Sequence, residues 1–265
     1  MLIGVAKLLL APLLLWQGAR VRRQALRLPE PAGQRAGVAG EGTLVLRLLI
    51  VGDSSGVGVG AASQDEALAG HLSRALSARL AGMVRWQVLA RTGHTTQDAL
   101  EHLRVSEIFP ADVLVTALGV NDVTAQASAA RWLQQLEQIH ALVRERAGAR
   151  YTLHSAVPPM QRFALLPQPL RWLMGGQALR LNRALARALR QHPDRGLQAL
   201  PAHLHHGNEV GRLMAPDGFH PSPAGYALWA EALADRIARE YRGWAPAALT
   251  AGTRAARRTA RPTGA

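Results

Sequence analysis

The residues of this sequence best suited to chemistry begin with a serine that follows an apolar run. The run LVLRLLIV, residues 44–51, leads directly into Gly52, Asp53 and Ser54. A short apolar run closed by glycine is typical of a strand buried on both faces. Small molecules bind at the carboxyl edge of open α/β sheets, so the position of Ser54 favours either a nucleophile or the hydroxyl of a phosphate-binding loop.

A second candidate lies in the octapeptide APDGFHPS, residues 215–222. Asp217 and His220 are three residues apart in a turn rich in proline and glycine. This spacing lets the carboxylate hold one imidazole nitrogen while the other faces outward, which is the arrangement of a general base and its orienting acid. The octapeptide also fits a plain turn before a helix, in which Asp217 caps backbone amides and His220 is merely exposed.

Two further segments contain groups that can stabilise an oxyanion. In ALGVND, residues 117–122, the side-chain amide of Asn121 is a candidate donor, and Gly119 lets a substrate approach the backbone. The alternative is a turn with Asn121 in a left-handed conformation. In TGH, residues 92–94, Gly93 either directs its N–H toward the same sheet edge or simply ends a strand.

The glycines after Ser54 also resemble a dinucleotide-binding loop. Gly56, Gly58 and Ala61 satisfy the pattern G-x-G-x-x-A directly after a strand. A dinucleotide site carries an acid at the end of the next strand, where this chain has Arg91. No Lys-Ser or Lys-Thr pair follows the glycines either, so a phosphate-binding P-loop is excluded.

The rest of the chain alternates between strand and helix patterns, which predicts an α/β fold with a five-stranded parallel sheet between helices. Strands are predicted at residues 44–51, 84–90, 112–118, 151–157 and 197–200. Helices are predicted at residues 64–81, 96–108, 127–147, 176–191 and 223–241. Such a sheet places every candidate motif in a loop after a strand or in the loop before the last helix.

Taken in order, G-D-S, glycine, G-x-N-D and D-x-x-H at the ends of successive strands resemble the SGNH (GDSL-type) hydrolase family. The resemblance covers about residues 46–240 and implies the three-layer, flavodoxin-like fold of that family. It implies Ser54 as nucleophile and Asp217 and His220 as acid and base. Gly93 and Asn121 match the positions that, with the amide of Ser54, form the family's oxyanion hole.

The resemblance implies a serine ester hydrolase of the esterase or lipase kind, which acts through an acyl-enzyme and needs no cofactor. Thioesterase and carbohydrate deacetylase activities occur in the same family, and a catalytically silent binding module on the same fold is a further alternative. Asp53 and Asp122 neighbour the catalytic groups and are expected to orient them; a role as catalytic acids is the alternative. Ser55 replaces the leucine that commonly follows the nucleophile.

Metal, thiol and nucleic-acid functions are disfavoured. The sequence has no cysteine, which excludes disulfides and thiolate chemistry. His203, His205 and His206 have no carboxylate at ligand spacing, so no zinc site is expected. The net charge of +13 arises largely in residues 1–42 and 242–265, which together contain ten arginines and Lys7 but only two acidic residues. Such tails alone do not indicate specific nucleic-acid binding.

The N-terminal segment predicts contact with a membrane. Residues 1–19 are apolar apart from Lys7 and Gln17, and arginines follow at once. We expect residues 1–28 to be an anchor or an interfacial helix, with the domain on the cytoplasmic side if the segment spans. A cleaved signal peptide, with the protein exported, and a helix docked on a soluble cytoplasmic domain are the alternatives.

The remaining segments complete the predicted domain organisation. Residues 29–42 are expected to be a linker, residues 43–243 the hydrolase domain, and residues 244–265 a basic disordered tail. The apolar segment at residues 158–176 predicts either a lid or acyl-binding wall, or an ordinary helix packed on the sheet. With the N-terminal segment, it favours a small-molecule or lipid-like acyl ester as the substrate.

Overall fold

The computed structural model of the protein describes residues 10–205 and 210–244. His206 and the predicted tail beyond residue 244 lie outside the described residues, as do residues 1–9 of the apolar N-terminal segment.

The described chain forms a six-stranded sheet that is parallel except at one edge. Its strands run in the order β1-β3-β2-β4-β5-β6, and β1 pairs antiparallel with β3. Without β1, this is the order of a flavodoxin-like sheet, as predicted. The strands are β1 (Ala36–Ala39), β2 (Leu44–Gly52), β3 (Met83–Ala90), β4 (Val113–Ala117), β5 (Tyr151–Ser155) and β6 (Arg195–Gln198).

Helices cover both faces of the sheet. They are α1 (Ala11–Gln24), α2 (Ser54–Val57), α3 (Leu68–Leu80), α4 (Thr96–Val105), α5 (Val120–Thr124), α6 (Ala129–Ala147), α7 (Leu170–Ala188), α8 (Val210–Leu213) and α9 (Pro223–Trp244). The 3₁₀ turns are Met160–Arg162, Leu189–Gln191 and Ala202–His205.

The central strand β2 is buried on both faces because its apolar residues alternate between two cores. Leu48 and Ile50 belong to the core beneath α3 and α9, whereas Leu49 and Val51 belong to the core beneath α4 and α6. Side chains of a strand point alternately to opposite faces, so a continuous apolar run serves both layers. This confirms the three-layer arrangement and leaves the end of β2 as the junction between the layers.

The predicted count of five strands is wrong by one, because β1 lies within the segment predicted as a linker. Ala36 to Ala39 pair with β3, and Gly37 lies opposite Trp86. A Cβ at Gly37 would approach the Trp86 ring to 2.9 Å. The small residues that resemble a linker in the sequence are therefore what lets this edge strand lie against the tryptophan.

Helix α1 packs on the domain through one of its faces. Leu14 and Val21 pack against the core of α6 and α7. Gln17 is buried; its amide donates to the carbonyl of Gln168 (2.8 Å) and its oxygen accepts from the amide of Leu170 (3.2 Å). No helix of residues 10–205 and 210–244 has the length and apolar character needed to cross a membrane.

The apolar segment at residues 158–176 belongs to the core and also borders a groove. Helix α7 begins at Leu170, earlier than the predicted residue 176. Phe163 and Leu166 are buried, while Leu165 and Trp172 are exposed. The segment is thus neither a detached lid nor wholly buried.

Candidate active site

The sheet order brings the candidate residues to one edge. Strand β2 lies between β3 and β4, so Gly52 pairs with both Ala90 and Ala117. The chain leaves these three strands toward the same carboxyl edge, where the connections diverge to opposite faces of the sheet. This crevice is where ligands bind in open α/β sheets.

Ser54, His220 and Asp217 form a continuous chain of hydrogen bonds. Ser54 Oγ lies 2.8 Å from His220 Nε2, and His220 Nδ1 lies 2.6 Å from Asp217 Oδ2. With the Nδ1 proton donated to the carboxylate, Nε2 is an acceptor for the serine hydroxyl. Two segments that are 166 residues apart in sequence thus meet in the arrangement of a nucleophile, a base and an orienting acid.

The turn that carries Asp217 and His220 is held by its own hydrogen bonds. Asp217 Oδ1 accepts from the backbone amides of Phe219 and His220, each at 3.0 Å, and Gly218 has a positive φ of 63°. Burial opposes ionisation of Asp217, but hydrogen bonds from the side chain and backbone of His220 outweigh it and lower the carboxyl pKa. The acid therefore stays ionised opposite the imidazole.

Asp53 is fully buried beside the serine and is held by Ser55. Its Oδ1 accepts from the Ser55 amide (3.0 Å) and the Ser55 hydroxyl (2.7 Å), whereas Oδ2 has no hydrogen-bond partner among the described residues. Burial raises the pKa of the Asp53 carboxyl to about 6 despite the opposing Ser55 hydrogen bonds. The Ser55 hydroxyl is thus directed at Asp53, whereas the Ser54 hydroxyl reaches His220.

Replacing Asp53 with Asn is expected to stabilise the protein at neutral pH. A carboxyl whose pKa is raised by folding costs stability as pH increases from its unfolded value, near 4, to about 6. The free energy of unfolding of the Asp53→Asn variant should therefore exceed that of the parent by about 3 kcal/mol at pH 7 and by almost nothing at pH 4. Urea unfolding of both proteins across this range checks the prediction; a pH-independent difference would contradict it.

Gly60 lets the His220 turn approach the serine loop. It has a φ of 105°, and a Cβ there would lie 2.3 Å from the Pro221 carbonyl oxygen and 3.4 Å from the Cβ of His220. Glycine is the residue that adopts this conformation without strain. The close contact ties the turn that carries His220 to the loop after Ser54.

Gly60→Ala is expected to destabilise the fold by about 2 kcal/mol or more and to lower any Ser54-dependent activity, because the turn must shift. Gly176→Ala is the matched control: Gly176 is exposed in α7, and an added Cβ meets no atom within 4 Å. The free energy of unfolding of this control should increase by up to about 1 kcal/mol, because alanine favours the helix more than glycine does. Thermal unfolding with a parallel ester assay measures both; equal behaviour of the two variants would count against this account of Gly60.

The three predicted oxyanion donors lie on loops that leave neighbouring strands. Ser54 begins α2, where its amide has no partner within the helix. Gly93, after β3, is exposed with a φ of 85°, and a Cβ there would meet no atom within 4 Å. Asn121, in α5 after β4, uses one amide hydrogen to donate to the His94 carbonyl at 2.9 Å. Its second amide hydrogen remains available to a substrate.

Asp122 fixes the relation between the Asn121 helix and the Gly93 loop. Its buried carboxylate accepts from the backbone amide of Thr96 (3.1 Å) and from the Thr96 hydroxyl (2.8 Å). The indole N–H of Trp132 donates to the same hydroxyl at 3.0 Å. Burial raises the pKa of the Asp122 carboxyl, and the hydrogen bonds from Thr96 oppose this shift. Asp122 therefore acts on the position of the neighbouring loop.

Glu30 and Arg35 also hold the Gly93 loop, and the sequence analysis missed both. Glu30 Oε1 accepts from the amide (3.1 Å) and the hydroxyl (2.6 Å) of Thr92. Arg35 pairs with Glu30 and donates to the Ala90 carbonyl at 2.7 Å. Both residues lie in the segment predicted as a linker. The one available signal was an acid and a base five positions apart in a segment whose only other charged residue is Glu41.

Two apolar spaces flank the serine and histidine. A small cavity of about 50 Å³ next to Ser54 is lined by Leu118, Phe163, Leu204 and Trp229, among others. A groove of about 550 Å³ runs from His220 along α1. His220 and Phe219 line both spaces. Within residues 10–205 and 210–244, no cluster of three His, Cys, Asp or Glu residues is placed to hold a metal ion.

Comparison with solved structures finds the same fold. A lipase, Lip_vut3, from a goat rumen metagenome superposes with a TM-score of 0.57 at 21% identity, over 73% of this chain and 97% of the lipase. Est24, a carbohydrate acetylesterase from Sinorhizobium meliloti, gives a TM-score of 0.51 at 18% identity, over 73% of this chain and 99% of that enzyme. At these identities the likeness concerns the fold.

Comparison of sequences identifies the family. A GDSL-like esterase of Mycobacterium tuberculosis is 27% identical over 202 residues, which are 71% of this chain and 60% of the length of that relative. The sequence model of the GDSL-like lipase/acylhydrolase family matches residues 50–228, a range that includes every predicted catalytic and oxyanion-hole residue. This match covers more than half of the chain, which therefore belongs to the GDSL-like lipase/acylhydrolase family, as predicted from its motifs.

Proposed function

We propose that the protein is a serine ester hydrolase in which Ser54 attacks the carbonyl carbon of an acyl ester. The observation that carries this proposal is the hydrogen-bond chain from Ser54 Oγ through His220 to Asp217, with lengths of 2.8 and 2.6 Å. The family membership and the apolar spaces on both sides of His220 support an ester as the substrate.

In the first step, His220 Nε2 takes the proton of Ser54 as Oγ bonds to the ester carbonyl. Asp217 stabilises the imidazolium that forms and keeps the ring in the required orientation. The same proton then passes from His220 to the departing alcohol, which leaves the acyl group on Ser54. Water attacks this acyl-enzyme with His220 again as the base. The bond between the acyl carbon and Ser54 Oγ then breaks, His220 returns the proton to Oγ, and the acid product is released.

The negative charge of each tetrahedral intermediate would be stabilised by the amides of Ser54 and Gly93 and by the side chain of Asn121. An oxyanion donor of this kind typically contributes about 3 kcal/mol to transition-state stabilisation. The hydrogen bond from Asn121 to the His94 carbonyl fixes the side-chain amide before the substrate arrives, which limits the reorganisation needed during the reaction.

A panel of p-nitrophenyl esters, acyl thioesters and acetylated sugars tests this function. We expect the purified protein to hydrolyse p-nitrophenyl esters, with the thioesters and acetylated sugars as slower substrates. Preferential turnover of a thioester or an acetylated sugar would assign the same site to a thioesterase or a carbohydrate deacetylase. No turnover of any of them would favour a silent binding module and contradict the proposal.

We also propose that the exposed face of α1 lies on a membrane surface. Leu13, Leu15 and Trp16 are exposed on this docked helix, and Arg20 and Arg23 follow them. Apolar and cationic side chains together favour an anionic lipid interface. Co-sedimentation with vesicles of phosphatidylcholine and phosphatidylserine should weaken in the double variant Leu13→Ser, Trp16→Ser but not in Val105→Ser, which removes an exposed apolar residue of α4. Equal sedimentation of both variants would contradict the proposal.

A further inference from the structure

The large groove beside His220 is continuous with the candidate active site. Asn121, Asp217 and His220 line one end of it. From there it extends as a space of about 550 Å³ between α1 and the segment from Met160 to Met174. A substrate chain that passes His220 on this side therefore reaches the groove.

The walls of the groove are mainly apolar. Met160, Leu166 and Met174 contribute one side, and Leu14 and Val21 of α1 contribute the other. Arg22 lies on the lining as well, and it is exposed. Walls of this composition favour burial of methylene groups, which gain free energy in proportion to the apolar surface removed from water.

Helix α1 is a fixed wall. Gln17 is buried and hydrogen-bonds the Gln168 carbonyl and the Leu170 amide, while Leu14 and Val21 pack on the core. These contacts hold the helix against the start of α7. The width of the groove is therefore set by residues that precede the matched family region, which begins at residue 50.

Gly18 occupies the middle of the α1 wall. It lines the groove, and a Cβ built there would meet no atom within 4 Å. Glycine within a helix costs stability relative to alanine, so its presence is not explained by the helix itself. The missing side chain leaves room in the groove for a ligand.

We propose that α1 forms one wall of the acyl-chain groove and that Gly18 keeps this groove open for medium and long acyl chains. The inference rests on the proposed ester hydrolase function and names its substrate class: esters of unbranched fatty acids longer than butyrate. The acyl chain runs from the carbonyl carbon at Ser54, past Asn121 and His220, and between α1 and Met174.

The test is kcat/KM for p-nitrophenyl acetate, butyrate, octanoate and laurate in the full chain. The wild type should prefer octanoate or laurate. Gly18→Phe should lower the ratio of kcat/KM for laurate to kcat/KM for acetate by about fourfold for each methylene group that is no longer buried. The ratio should fall by about 100-fold if several methylene groups are displaced from the groove. Gly18→Ala, which adds one methyl group, should change this ratio far less.

Arg23→Phe is the matched control, because Arg23 is exposed on α1 and does not line the groove. If Gly18→Phe fails to fold, as judged by circular dichroism, Ala25→Phe replaces it, because Ala25 is exposed at the end of α1 and lines the groove. A folded Gly18→Phe or Ala25→Phe protein with an unchanged ratio would overturn the proposal. An equal loss in Arg23→Phe, or a dependence on alcohol length instead of acyl length, would also overturn it.

Failure of the groove assignment is distinguishable from failure of the enzyme assignment. Hydrolysis of p-nitrophenyl acetate reports the active site, whereas titration with the fluorescent fatty acid cis-parinaric acid reports the groove without turnover. Binding of this acid should weaken at least tenfold in Gly18→Phe and stay unchanged in Arg23→Phe. Equal binding by both variants would overturn the groove assignment even if no ester is turned over.

Discussion

Ser54→Ala is expected to lower kcat for a short p-nitrophenyl ester by a factor of about 10⁴ or more, with no loss of stability. The change removes the oxygen that lies 2.8 Å from His220 Nε2, and with it the nucleophile of the proposed acyl-enzyme route. Ser54 is only partly buried and its side chain has no structural hydrogen bond besides the one to His220 among the described residues. Steady-state kinetics and thermal unfolding of the same preparation measure both quantities.

The neighbouring hydroxyl supplies the matched control for this variant. Ser55 Oγ donates to the buried carboxylate of Asp53, so its removal weakens the packing of the loop but not the nucleophile. Ser55→Ala is expected to lose about tenfold in activity at most, the equivalent of one hydrogen bond. If Ser55→Ala lost more activity than Ser54→Ala, the roles of the two serines would be reversed.

Asp217→Asn is expected to lower kcat by about 10⁴-fold while the fold is retained. The amide oxygen of Asn can still accept from the backbone amides of Phe219 and His220, as Asp217 Oδ1 does now. The amide nitrogen replaces Oδ2, however, and now donates toward His220 Nδ1. This favours the tautomer with the proton on Nε2, which cannot accept the proton of Ser54.

Asp217→Ala separates orientation of the imidazole from support of the turn. Alanine also removes the two acceptors for the backbone amides, so we expect a loss of stability that Asp217→Asn does not show. Chemical denaturation beside the ester assay distinguishes the two variants. More than a tenth of the wild-type kcat in Asp217→Asn would contradict the role assigned to this carboxylate.

The sequence was sufficient to predict the parallel part of the sheet and the side chains that meet at its edge. Strand β2 reads as a buried strand because its apolar run is uninterrupted, and Ser54 follows it directly. The spacing of Asp217 and His220 gives their mutual contact, because residues three apart in a tight turn lie side by side. The motif order supplied what spacing alone could not, namely that the His220 turn meets Ser54.

Strand β1 and the residues that hold the Gly93 loop could not be predicted from local sequence patterns. Strand β1 has the composition of a linker, and only the position of Trp86 on the neighbouring strand explains its glycine. Glu30 holds the Gly93 loop by accepting a hydrogen bond from Thr92. The two residues are 62 positions apart, and no local sequence pattern indicates that they meet. Similarly, the apolar pattern of α1 is the same whether the helix faces lipid or packs on its own domain.

Covalent labelling tests the central claim, that Ser54 is the nucleophile of an ester hydrolase. The wild-type protein is incubated with a fluorophosphonate, digested and analysed by tandem mass spectrometry to locate the modified residue. Because the reagent reacts with a serine activated by its base, we predict a single phosphonylated residue, Ser54, and loss of labelling in His220→Gln. Labelling at Ser55 instead, or no labelling of the folded wild type, would contradict the account.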